Sequence, residues 1–149
     1  DSSTSRGLGD VYKRQAQVRE TEAALGDAGG DFAADFAAIR KQLAAGSVAL
    51  DEVVDFVVAN VKSDIKGVFA GSVLYLKLAG IVLGGWQMAR AALVARKKLA
   101  AGEGDASFLR AKIATARFFA DHILSSAPGL RTAIVEGAPG VLALEVDQF

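Results

Sequence analysis

At 149 residues, 52% of them hydrophobic, the chain is long enough for one domain with a real core and short for two. Lys plus Arg (17) equals Asp plus Glu (17), so no net field draws it to nucleic acid or anionic lipid. It has no Cys and one His, which excludes disulfides, thiolate metal sites and multi-His metal sites, and its two Pro lie at or after position 128, leaving the rest free to be helical.

Residues 5–15 read SRGLGDVYKRQ and resemble, without a gap, the in-frame translation of an adapter used to prepare DNA sequencing libraries. The expectation is that residues 1–15 are a non-native tail without defined structure, that 16–149 form the domain, and that the natural chain continues upstream of Ala16. The tail carries no apolar core of a secretory signal.

Ala16–Leu25, rich in Ala and Glu and stopped by Gly26, is predicted to be helical. A turn at Asp27–Gly30 precedes Phe32, Phe36, Ile39 and Leu43, whose spacing makes one stripe of an amphipathic helix. Asp31 is placed to cap this helix and Gly46 to stop it. A third helix is expected from Ser47, with Leu50, Val53, Val54, Val57, Val58 and Val61 on its apolar face. Their β-branched side chains also suit a strand, but the spacing is not alternating.

The fourth helix runs from about Lys66 to Leu99, long enough to span the whole bundle. Gly80, Gly84 and Gly85 inside it cost about 1 kcal/mol each relative to Ala. They point to a neighbouring backbone that crosses too close for a Cβ. After the turn Ala101–Gly104, Asp105 caps a fifth helix whose seam is Leu109, Ile113, Ala116, Ala120 and Ile123, with Arg117 and Asp121 four apart and able to pair. Pro128-Gly129 breaks it, and a short helix, Leu130–Glu136, and an apolar turn, Val141–Leu144, follow. The sum is an all-α, up-and-down bundle of four to five helices with a short C-terminal helix.

No residue is assigned a catalytic, cofactor-binding or metal-ligating role. There is no G-x-G-x-x-G, no Walker sequence, no Ser/His/Asp or Cys/His set, and no aromatic-basic surface for nucleic acid. Gly80-x-x-x-Gly84 can mark a transmembrane dimer, but the apolar run between Lys77 and Arg90 is short of the roughly 20 residues a bilayer requires. Trp86 reads as a core anchor whose N–H finds a carbonyl, in preference to a flavin-stacking ring. His122 borders the apolar face, and Asp121, adjacent in sequence, points away from it, so the two are not a dyad. Arg90, Arg96, Lys97, Lys98, Arg110 and Lys112 read first as cations offsetting a helix dipole, with phosphate binding as the sharper reading. Lys112 falls on the apolar side between Phe108 and Phe119, and its ammonium is expected to meet a carboxylate or a helix end.

The ordered set Tyr75-Leu76, Gly80, Gly85-Trp86, Arg90, Ala91, Asp105, Phe108, Lys112, Ala116-Arg117-Phe118, Ile134, Gly137, Val141 to Leu144 and Phe149 resembles one module. That module is the C-terminal helical domain of the acyl-CoA dehydrogenase branch that includes 3-methylmercaptopropionyl-CoA dehydrogenases. The resemblance covers roughly Phe32 to Phe149. It implies an accessory domain of a bacterial FAD-dependent oxidoreductase of fatty-acid metabolism. In such enzymes a glutamate removes the α-proton of an acyl-CoA thioester while the β-hydride passes to the flavin. Val135-Glu136-Gly137-Ala138 has the outline of the Tyr-Glu-Gly-Thr segment that carries this base, but it lacks the Tyr and the Thr and lies too near the chain end.

The resemblance therefore implies FAD, acyl-CoA and base on other domains, with no cofactor on this chain. The implied partners are those catalytic domains and other copies in a homo-oligomer, and the implied location is cytoplasmic. An accessory domain should also expose an apolar docking patch, expected on the first helices. A membrane-surface or protein-interaction bundle without enzymatic role is the alternative.

Overall fold

A computed structural model describes the backbone of residues 2–149 and the side chains of residues 9–10 and 12–149. Four long helices, α1 (Ser2–Gly26), α2 (Ala33–Asn60), α4 (Ser72–Ala100) and α5 (Ala106–His122), carry the fold, with the short α3 (Ile65–Ala70) before α4. After α5 come a 3-10 turn (Leu124–Ser126), α6 (Ala127–Glu136), the single-turn α7 (Ala138–Val141) and a last 3-10 turn (Val146–Gln148). No strand occurs among the described residues, so the all-α expectation holds.

Cross-helix contacts fix the directions. Arg19 on α1 reaches Asp51 on α2 at 3.1 Å, while Gly26 lies against Arg40, so α1 and α2 are antiparallel. Gly84 of α4 meets Phe119 of α5, whereas Lys98 shares a groove with Phe108, so α4 and α5 are antiparallel as well. The tight turn between them uses Gly102 and Gly104 at φ of 67° and 77°, a left-handed conformation that side chains disfavour. Asp105 caps α5 as expected, its carboxylate accepting from the Phe108 N–H at 2.9 Å.

The core is built from Leu25 of α1, Phe36, Ile39, Leu43 and Val53 of α2, Leu78, Val82 and Trp86 of α4, Ile113 of α5, and Leu124 and Ile134 beyond it. Ala89, Ala92 and Ala95 on α4 and Ala116 and Ala120 on α5 are also buried. Such small side chains let paired helices approach closely, which explains an Ala-rich chain with a filled interior.

Several expected boundaries move. Residues 33–60 form one helix, not two, and Gly46-Ser47 lies in its buried middle. Gly46 is there for space: a Cβ on it would sit 2.9 Å from Leu124 Cδ1 and 3.3 Å from Val82 Cγ2. The start of α2 is not capped by Asp31, since Phe32 holds the N-cap position without a side-chain hydrogen bond. The helix expected over 66–99 divides at Gly71, where a Cβ would meet the Ile134 side chain at 2.9 Å and its Cα at 3.3 Å. Pro128 opens α6 near its first position, where its missing N–H costs nothing. The backbone of α1 runs unbroken through residues 2–15, a stretch without Pro that was expected to lack structure; part of it lies outside the described side chains.

The glycines of α4 also need a different reason. Gly84 and Gly85 make room for side chains, Phe119 Cζ at 3.3 Å and Leu124 Cδ2 at 2.7 Å, not for a crossing backbone. Gly80 has nothing within 4 Å of a would-be Cβ. Gly80→Ala is therefore expected to raise the unfolding free energy of this chain by about 0.5–1 kcal/mol in urea denaturation. A loss of stability would show a neighbour that the fold does not reveal.

Candidate functional site

The side chains that could carry chemistry are mostly committed to holding helices together. Trp86 is 4% exposed, and its Nε1–H donates to Thr21 Oγ1 at 2.8 Å. The partner is a hydroxyl and not the expected carbonyl, though Thr21 Oγ1 in turn donates to the Gln17 carbonyl at 3.1 Å. His122 is exposed and lies against the Phe118 ring, with centroids 4.5 Å apart. Glu136 pairs with Arg131 at 2.8 Å, and Arg131 also reaches Glu52 on α2. Arg117 joins Asp121 at 2.5 Å, the expected pair, and adds Asp35 of α2 at 3.4 Å.

Among the described residues, Glu22 is the charged group in tension with its surroundings. Its Oε1 is buried without a hydrogen-bond partner. Burial pushes its carboxyl above the usual carboxylate range, opposed by Arg19 and Arg40 and assisted by Asp51. A raised folded-state pKa means the native state binds the proton more tightly than the unfolded chain, so this group's contribution falls as pH rises through the window from 4.5 upward. Glu22→Gln should therefore gain stability relative to the parent chain between about pH 4 and pH 7. Urea titrations of both proteins across that range would show a constant difference if Glu22 were unperturbed.

The basic residues do not form one cluster. Arg90 stacks over Trp86 at 5.2 Å, and Arg96 lies over Phe36 at 5.8 Å. Lys112 is exposed and sits over the Phe108 ring at 5.1 Å, not against the expected carboxylate or helix end. Arg90, Lys98 and Lys112 nevertheless line one groove of about 440 Å³ between α4 and α5, with Val94 and Phe108 and no acidic residue.

The surface itself carries the strongest signal. Along α4, Leu78, Val82, Trp86 and Ala89 face the core, while Val73, Leu76, Gly80 and Leu83 form a second stripe on the outer side. Val73 is 78% and Leu76 74% exposed. Ile65 and Phe69 on α3 and Val58 and Val61 at the end of α2 are exposed beside its start. Both faces of α4 are thus apolar, which makes it long and apolar enough to cross a membrane by composition alone, although its inner face is the core of the bundle. The expectation put the docking patch on the first helices; the exposed apolar residues concentrate instead where α2 ends and α3 and α4 begin. The signal was present in the sequence as a second set of apolar residues at three- and four-residue spacing out of phase with Leu78, Val82 and Trp86.

The structure is thus a helical bundle with a filled core, polar groups spent on interhelical ties and a broad apolar face left exposed. Residues 15–145 match the family described as acetyl-CoA dehydrogenase C-terminal like, and the chain belongs to that family. Over 86 residues it is 43% identical to the 3-methylmercaptopropionyl-CoA dehydrogenase of Ruegeria pomeroyi. That match takes in 58% of this chain and 14% of the enzyme, so the chain corresponds to a small part of its relative.

Proposed function

We propose that the chain is the accessory C-terminal domain of an FAD-dependent acyl-CoA dehydrogenase, and that it docks on the enzyme's catalytic domains through the outer stripe of α4 and the adjoining α3. The observation that carries this reading is the bare stripe Val73, Leu76, Gly80 and Leu83. Burying side chains of that size is worth about 1.5–3 kcal/mol each. Gly80 fits the same reading: an interior glycine with no neighbour of its own costs stability unless another surface lies flat against it. Residues 1–15 are, on this reading, a non-native tail, and the domain occupies 16–149 in a cytoplasmic enzyme.

Flavin and acyl-CoA belong on the other domains, because the residues present here do not fit a flavin. Trp86, the largest ring, is enclosed and its N–H is used. The most apolar cavity, about 230 Å³ between α1, α2 and α4, is lined by Val18, Leu50, Val54 and Val82 with Arg14 and Asp51, and is too small for a flavin. No step of the oxidation is assigned to this chain.

The test is a chimera of the Ruegeria pomeroyi enzyme in which residues 16–149 replace the helical domain that contains the 86-residue matching segment. The chimera is expected to keep its flavin and its activity, and Val73→Asp/Leu76→Asp to lose both, while the same pair leaves the isolated chain folded by circular dichroism. An active chimera indifferent to the two aspartates would remove the docking face from the argument. Flavin absorbance or dye-linked turnover by the isolated chain would overturn the accessory assignment.

A further inference from the structure

The α4–α5 groove stands apart from the docking stripe, at the other end of α4. Three cations, Arg90, Lys98 and Lys112, surround exposed Val94 and Phe108 with no carboxylate among them, in a chain whose charges balance overall. The tail Leu144–Phe149 has the opposite character. Glu145 and Asp147 alternate with Leu144 and Val146, and Val146 and Phe149 are 90% and 94% exposed. We propose that the tail of one copy lies extended in the α4–α5 groove of a second copy, its carboxylates among Arg90, Lys98 and Lys112 and its apolar side on Val94 and Phe108.

Charge, length and reach support this pairing. In an extended segment, side chains alternate, so Leu144 and Val146 face one way, toward Val94 and Phe108, and Glu145, Asp147 and the terminal Phe149 the other, where the long cationic side chains of the groove reach the two carboxylates. The groove follows α4 from Gln87 to Lys98, about 16 Å at 1.5 Å per residue. The tail from Leu144 to Phe149 spans about 17 Å when extended. It cannot lie along the groove of its own copy as far as Val94 and Lys98. The tail leaves α7, which packs on α3 beside the start of α4. Val94 lies about 33 Å further along that helix, whereas Leu142 to Phe149 spans at most about 25 Å. Two copies side by side and antiparallel place each tail at the other's groove, a closed two-fold exchange that leaves no free end. The tail gives up its local turn, in which the Glu145 N–H donates to Gln148 Oε1 at 2.8 Å.

This inference is independent of the docking face, which uses the opposite end of α4, and its test leaves that face untouched. Sedimentation velocity of the full 149-residue chain should show a dimer at about 100 μM that weakens as salt rises, because the paired charges are screened. Lys98→Glu/Lys112→Glu and Glu145→Lys/Asp147→Lys should each weaken association by about tenfold or more, and combining the four changes should restore it. All the residues changed are exposed, so circular dichroism of each variant should match the parent chain. A chain monomeric at that concentration overturns the proposal. So does a dimer lost on reversing the groove but kept on reversing the tail, or a groove that binds phosphatidylserine vesicles while the chain stays monomeric.

Discussion

Replacing Leu124 by Ala is expected to lower the unfolding free energy by about 3 kcal/mol, within the 2–5 kcal/mol typical of a buried leucine. Leu124 is fully buried in the 3-10 turn after α5, and its two methyl groups enter two different helices. A Cβ on Gly46 of α2 would come within 2.9 Å of Cδ1, and one on Gly85 of α4 within 2.7 Å of Cδ2. The side chain is therefore clamped: swinging away from α4 drives it into α2. Gly85→Ala alone should cost about 1–3 kcal/mol by overpacking, partly offset by the better helix propensity of Ala. In the Leu124→Ala background the same change should stabilise, since the added methyl enters the vacated space while the propensity gain remains. Urea denaturation of the four proteins measures the coupling. Simple additivity would mean that Leu124 and Gly85 do not share a slot.

This slot also shows how far the sequence could be read. The periodicity of Phe36, Ile39 and Leu43, and of Leu109, Ile113, Ala116 and Ala120, marked helices and their buried faces, because local spacing is all that such a pattern needs, while Ile123, expected on the same seam, is exposed just past the end of α5. Gly46 was a different problem. A glycine that ends a helix and a glycine that admits a leucine from a distant turn look the same in one dimension. The difference lies with Leu124, 78 residues away, which no local rule connects to it. Gly71 failed in the opposite direction for the same reason, since the contact that crowds it comes from Ile134. The family resemblance was legible because it rests on the order of residues rather than on their contacts. The bare stripe was not: Val73 and Leu76 fell inside one predicted helix, and only the packing of α4 shows which of its two apolar stripes is left exposed.

Trp86→Ala should be the other costly change, at about 3–5 kcal/mol, and how that cost divides tests why α1 stays on the bundle. The indole fills the space between α4 and α1, and its N–H is held by Thr21, whose own proton goes to the Gln17 carbonyl. Trp86→Phe keeps most of the apolar contact and leaves the Thr21–Gln17 bond intact, so it should cost only about 1–2 kcal/mol. Thr21→Val is nearly isosteric but strands a buried indole N–H, and should cost about 1–3 kcal/mol. With both changes together no donor is stranded, so the double variant should be no worse than Thr21→Val alone. As the sole tryptophan, Trp86 reports on this contact directly by fluorescence. If α1 belongs to the same cooperative unit, fluorescence and helix content should melt together in the parent chain. A red shift that precedes the loss of helix would show that α1 detaches first, and that α2, α4, α5 and α6 make up the stable body of the domain.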